Sequence, residues 1–114
     1  MLKVKRIYER PEKSDGLRIL VDRLWPRSLT KQKAHVDKWL KEIAPSNDLR
    51  KWFTHKEERW KEFKKRYFEE LKSNGRLLKE LRGLSKNKSV ALLYASKNKE
   101  RNNAKALLEF LKNK

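Results

Sequence analysis

Two short stretches of this chain combine residue types that could do chemistry. The first is Asp22, Arg23, Trp25, Pro26, Arg27 and Ser28, which follow the apolar run Ile19, Leu20 and Val21 without a spacer. The second is Ser96, Lys97 and Asn98, followed by Asn102 and Asn103, after the apolar stretch 89–95. Guanidinium forks and an ammonium group suit phosphate or carboxylate by charge-assisted hydrogen bonds. The free N–H groups at a helix N-terminus add to such a site. The expected ligand-binding set is therefore Arg23, Arg27, Ser28, Ser96, Lys97, Asn98 and Asn102. Asp22 has two readings. It holds the arginines or caps the strand end, or it acts as a general base or magnesium ligand. Trp25 and Pro26 read as core plug and rigid turn.

Other catalytic constellations are thin. The chain has no cysteine, so thiolate chemistry and zinc–thiolate sites are excluded. His35 and His55 are its two histidines, both in polar surroundings and without metal-ligand spacing. Gly16, Gly75 and Gly83 are isolated, so there is no glycine-rich phosphate loop, and no G-x-S-x-G elbow occurs. A metal-dependent nuclease would need carboxylates such as Asp15, Asp22 and Glu42 brought together, and sequence alone does not do that. No metal and no cofactor is expected.

The elements that must carry these residues come next. Leu2, Val4 and Tyr8 alternate with Lys3 and Lys5, which predicts a half-exposed first strand. Residues 11–16, PEKSDG, read as a turn. A second strand, buried on both faces, is expected over 17–22. Trp25 precedes proline and is pushed out of the helical region, so 24–28 is loop. A short helix near 29–36 and a short strand within 37–43 follow. Pro45 and Ser46 start a helix carrying Leu49, Trp52 and Phe53. The clearest helix runs from Thr54, with Thr54 and Glu57 as a capping box, to Gly75 at its C-terminal stop. Trp60, Phe63, Tyr67 and Leu71 form its core stripe. Leu77, Leu78, Leu81 and Leu84 mark another helix over 75–84. A buried strand covers 89–95, and a last helix carries Ala104, Leu107, Leu108 and Leu111.

The apolar strands at 17–22 and 89–95 are separated by a long helical stretch, which fits parallel strands joined by a crossover. The expected fold is a small single-domain α/β sandwich over 1–114, with a short, mostly parallel sheet flanked by helices. Ligands in such sheets sit beyond the carboxyl ends of the strands. Both candidate stretches would then lie on one edge.

Composition narrows the partners. Lys and Arg number 32 against 15 Asp and Glu, a formal net charge of +17. Residues 1–36 hold ten basic and four acidic residues, 37–84 fourteen and nine, and 85–114 eight and two. Charge density with no cysteine suits adaptation to heat, but that does not explain the sign. A small body this positive attracts polyanions. No stretch is apolar enough to span a membrane, and the first residues lack the run of a signal peptide. The cytoplasm is the expected location.

Four stretches carry a resemblance: SDGLRILVDRLWPRS (14–28), KEIAPSNDLRKWF (41–53), RYFEEL (66–71) and LLYASKNKERNNA (92–104). Their order resembles the YeaO-like branch of domain-of-unknown-function family 488 over nearly the whole chain. The resemblance implies strands ending in D-R-x-x-P-R and in a K-N element, and it implies no established reaction. The family's pattern falls on Ser14, Asp15, Gly16, Arg18, Asp22, Arg23, Trp25, Pro26 and Arg27. It falls also on Glu42, Pro45, Ser46, Leu49, Arg50 and Phe53, then on Tyr94, Lys97, Asn98 and Asn102. Two positions depart from it. Members often carry His where this chain has Asn103, and wider relatives a Cys-His pair at 102 and 103. The usual Gly after Arg27 is Ser28.

The leading expectation is a protein that binds a phosphate-bearing ligand, nucleic acid or nucleotide, in a basic crevice at the carboxyl ends of the parallel strands. The alternative is an enzyme on a small phosphorylated or nucleotide substrate, with Asp22 or Glu42 as base and Arg23, Arg27 and Lys97 stabilising negative charge. A third reading leaves the charge to heat adaptation alone. No membrane partner is expected, and the oligomeric state stays open.

Overall fold

A computed structural model describes residues 1–54 and 56–113. Four strands form one parallel sheet: β1 (Leu2–Arg6), β2 (Leu17–Leu20), β3 (Lys38–Trp39) and β4 (Val90–Tyr94), in the order β1-β4-β2-β3. β4 is buried at every position because it has a strand on each side, with Leu92 opposite Val4 of β1 and Ile19 of β2. Its run of five apolar residues is the pattern of a strand covered on both faces. The helices are α1 (Lys31–Ala34), α2 (Asn47–Phe53), α3 (Trp60–Lys72), α4 (Gly75–Asn87) and α5 (Asn103–Lys112). Together these elements confirm the α/β class.

The sheet has unequal faces. On one, Ile19, Val90, Leu92 and Tyr94 pack with Leu49, Phe53, Phe63, Tyr67, Leu78, Leu81 and Leu107 from α2 to α5. Fully burying each such side chain contributes about 1.5–3 kcal/mol. On the other, Leu20, Ala91 and Leu93 meet Ile7, Ala34, Trp25 and Trp39, so a loop and the short α1 cover it.

β1 is half-exposed as expected at four of its five positions, but on that thinner face Lys5 is buried. Lys5 is only 8% exposed. Its Nζ lies 3.0 Å from the buried Asp15 carboxylate and donates to the carbonyl of Arg10 at 2.8 Å. Alternation marks which side a residue takes and not whether that side is wet.

Gly16 is required where it stands. Its φ is +67°, and a Cβ there would come within 2.1 Å of the Ser89 carbonyl oxygen. The chain must pass that close for Leu17 N–H to bond Ser89 and start β2 against β4.

Two helix boundaries differ from the sequence expectation. Thr54 does not cap α3; it closes α2 in a left-handed conformation, φ 38°, with its N–H on the Arg50 carbonyl. A 3-10 turn at Glu57–Arg59 then leads into α3. Gly75 does not stop α3 either. The helix ends at Lys72 with Ser73 N–H on Glu70, and Gly75 is the first residue of α4. Ser46 is a true cap: its hydroxyl accepts from Leu49 N–H, and the Glu70 carboxylate accepts from both Ser46 N–H and O–H. His55 lies outside the described residues.

Candidate functional site

β1, β2 and β4 are parallel, so their carboxyl ends share one edge of the sheet. β4 sits between β1 and β2, and the chain leaves β4 towards α5 and β2 towards β3. Loops leaving adjacent strands in different directions open a crevice there. A cleft of about 1280 Å³ occupies that place. Asp22, Arg23, Trp25, Pro26, Arg27 and Ser28 line it from one side, and Ser96, Lys97, Asn98, Asn102 and Asn103 from the other.

Asp22 ties the two sides together. Its Oδ2 accepts from Ala95 N–H at 2.9 Å, and its Oδ1 from Asn103 Nδ2 at 3.0 Å. The same Asn103 Nδ2 donates to the Val21 carbonyl at 2.9 Å. Burial pushes the Asp22 carboxyl up from its ordinary value, while the bonds from Asn103 and Ala95 and the charge of Arg50 oppose that. Both oxygens thus already hold a neutral donor, and no cation among the described residues forms an ion pair with them.

Several expected contact residues are largely spent on architecture. Arg23 donates from Nε to the Pro45 carbonyl and from Nη2 to Ala44, pinning the segment that enters α2. Trp25 donates from its indole to the Leu29 carbonyl at 2.7 Å and meets Trp39 edge-on, with centroids 5.4 Å apart. Pro26 is buried beside it, and no peptide bond among the described residues is cis. Asn98 Oδ1 accepts from the N–H groups of Glu100 and Arg101, and Asn98 N–H donates to Ser96 Oγ. Asn102, 3% exposed, caps α5: its Oδ1 accepts from Lys105 N–H and its Nδ2 donates to Asn98. Such capping is the ordinary use of Asn at a helix start.

Arg27 and Lys97 are different. Both are exposed and make no side-chain hydrogen bond or ion pair among the described residues. Ser28 follows with φ 60°, a left-handed conformation. That geometry accounts for a glycine at the same place in the resembling family, since glycine alone takes it without strain.

Glu42 is not part of this arrangement. It is exposed, absent from the cleft lining, and its carbonyl accepts from Asn74 Nδ2. Asp15 is elsewhere too, fully buried against Lys3, Lys5 and Arg18. The three carboxylates that a metal site would need are therefore not assembled, and no group of three candidate ligands occurs among the described residues.

Other cleft residues were outside the expected ligand-binding set, although the family's pattern already fell on Arg50. Arg6, Tyr8, Leu24, Arg50, Lys51 and Arg101 also line it. Arg6 ends β1, and its Nε donates to the Ser96 carbonyl at 2.9 Å. Tyr8 donates its hydroxyl to the Arg27 carbonyl at 2.8 Å, and the Arg6 guanidinium lies 4.7 Å from its ring centroid. Reading β1 as a third parallel strand would have delivered Arg6 to the same edge. Nothing local says which way β1 runs relative to β4. Across the lining, Arg6, Arg23, Arg27, Arg50, Lys51, Lys97 and Arg101 face a single carboxylate, Asp22.

Comparison with known proteins places this geometry in a family. The model of the "Inactive DUF488-N3 subclade" matches residues 1–114. The uncharacterised protein YeaO of Escherichia coli (strain K12) is 40% identical over 111 residues, covering 97% of this chain and 96% of that protein. The uncharacterised protein Rv3073c of Mycobacterium tuberculosis (strain ATCC 25618 / H37Rv) is 40% identical over 110 residues, 96% of this chain and 92% of that one. No solved structure matches the chain. No helix among the described residues is long and apolar enough to cross a membrane.

Proposed function

The chain belongs to the DUF488 family, in the subclade described as inactive DUF488-N3, and on that premise we propose that it is a binding domain for a phosphate-bearing ligand, nucleic acid or nucleotide. The cleft at the carboxyl ends of β1, β2 and β4 is its site. One observation carries the reading: seven cations line the cleft against one lining carboxylate, Arg101 among them being ion-paired with Glu57 outside the lining, and Arg27, Lys51 and Lys97 have no internal side-chain partner among the described residues. Like-sign charge gathered along a concave wall focuses the field and concentrates anions there. The net charge of +17 strengthens the attraction for a polyanion.

Binding is favoured over catalysis by what the would-be bases do. Asp22 has both oxygens engaged, Glu42 lies outside the cleft, and Asn103 stands where members of the resembling family often carry His. An amide can hold Asp22 in place but does not titrate near neutral pH.

The test is a titration of a fluorescent oligonucleotide at several salt concentrations. Affinity should fall steeply from about 50 to 200 mM salt, as phosphate contacts release counterions. Arg27→Ala and Lys97→Ala should each lower the slope of log affinity against log salt by about one. If no salt-dependent binding is seen near about 50 mM, for oligonucleotide or nucleotide, the reading fails.

A further inference from the structure

We propose that the cleft takes an unpaired nucleotide, a phosphate with its base free, and turns away a duplex. This rests on the phosphate-binding reading above and adds the other half of the ligand. Among the described residues, three large hydrophobic side chains are exposed: Met1, Tyr8 (40%) and Leu24 (62%). Two of the three, Tyr8 and Leu24, line the cleft.

The Tyr8 ring is fixed in place. Its hydroxyl holds the Arg27 carbonyl, and Arg6 lies against the ring while bonding the Ser96 carbonyl. Tyr8 and Arg6 thus join the loop bearing Arg27 to the loop bearing Lys97. The result is a part-exposed ring, with Arg6 over one face, in the same cleft that two unspent cations line. A guanidinium against a ring also resists the entropy loss that a free side chain would suffer on binding.

That pairing of surfaces selects its ligand. A base with an open face can stack on an aromatic ring while its phosphate meets the cations, which is how single strands are held without sequence readout. Inorganic phosphate would use the cations and leave Tyr8 and Leu24 wet. A duplex hides its base faces in its own stack and presents phosphates on a convex surface, so it would reach only the rim of this concave site. A free mononucleotide and a single strand share the required chemistry.

The experiment compares four probes on the full chain: a labelled single strand of about twelve nucleotides, its duplex, adenosine monophosphate and inorganic phosphate. The single strand should bind at least about ten-fold tighter than the duplex. Leu24→Ser and Tyr8→Ala should each weaken strand binding by roughly ten-fold, with duplex binding unchanged, whereas Tyr8→Phe should keep it. Circular dichroism melting checks that each variant is folded, and the exposed Leu24 has no buried role to lose. Competition by adenosine monophosphate but not by phosphate identifies the free nucleotide as sufficient; binding of the strand alone identifies the polymer as the source. Equal binding of duplex and strand, or insensitivity to both Leu24→Ser and Tyr8→Ala, overturns this inference and leaves phosphate binding standing. Absence of salt-dependent binding by every probe overturns both.

Discussion

Asp15 comes just before β2 and Asp22 just after it, and the protein treats the two carboxylates differently. Asp15 is fully buried and ringed by cations: Lys3 at 2.9 Å, Lys5 at 3.0 Å and Arg18 at 2.6 Å. Burial pushes it up, but the hydrogen bonds from Lys3, the Glu12 amide, Lys5 and Arg18 outweigh that and hold it well below the usual carboxylate range. Asp22 is held by neutral donors, Asn103 and the Ala95 amide, and burial keeps it above its ordinary value. At the first site every cation has an internal carboxylate partner, Lys5 a second one in Glu12 at 3.1 Å. The second leaves the nearby Arg27 and Lys97 free. In this chain a basic residue is a candidate for binding when no internal carboxylate has claimed it.

The largest break in this comparison comes from Asp15→Asn. It leaves the buried Arg18 without its carboxylate and Lys5 with Glu12 alone, so urea denaturation should show a loss of about 3–5 kcal/mol. A loss below about 1 kcal/mol would mean that the cluster is not structural.

Acid titration sharpens the same contrast. The folded value for Asp15 is depressed, so its stabilisation is present above the ordinary value of 3.8 and is lost as pH falls below that toward the folded value. Denaturation midpoints should drop through that window, at up to about 1.4 kcal/mol per pH unit from this one group. Asp15→Asn should flatten the drop. Asp22 has the opposite sign. Its raised folded value means that its charge costs stability at neutral pH, and the wild type should gain on Asp22→Asn as pH falls through the raised value toward 3.8.

Asp22→Asn itself should cost only about 1 kcal/mol at pH 7, since an amide oxygen still accepts one of the two bonds. If it costs more than Asp15→Asn, the division of labour drawn above is wrong. The smallest effect, of opposite sign, concerns the two positive-φ positions of these regions. Asp15 is followed by a glycine that needs its φ of +67°, while the Asp22 loop puts Ser28 at φ 60°. Ser28→Gly should raise stability by at most about 1 kcal/mol, read as a shift in thermal midpoint.

Much of the fold was legible in local pattern. The apolar runs at 17–22 and 89–95 mark β2 and β4, and the helical spacing of Phe63, Tyr67 and Leu71 marks α3. Ser46 starts α2 because a hydroxyl there serves the Leu49 N–H three residues on. Thr54 and Gly75 misled because capping boxes and glycine stops are local preferences that neighbouring segments can override. α2 needed a left-handed residue to end, and Thr54 supplied it.

The candidate site was legible in one half and hidden in the other. Stretches at two strand ends could be matched because the long helical stretch between the strands fits a parallel pair, which the sheet bears out. Arg6 and Tyr8 joined them only through the direction of β1, and Glu42 left them only through the packing of its loop.

The sequence by itself determined the α/β class, the strand and helix cores, the basic balance and the two polar strand ends. Those follow from side-chain periodicity and charge, which neighbours within a few residues set. Only the tertiary structure decided which charges are spent. Lys5 meets Asp15 across ten residues and Asn103 meets Asp22 across 81. Whether a charged group is satisfied or free depends on such partners distant in the chain, and no local pattern records them.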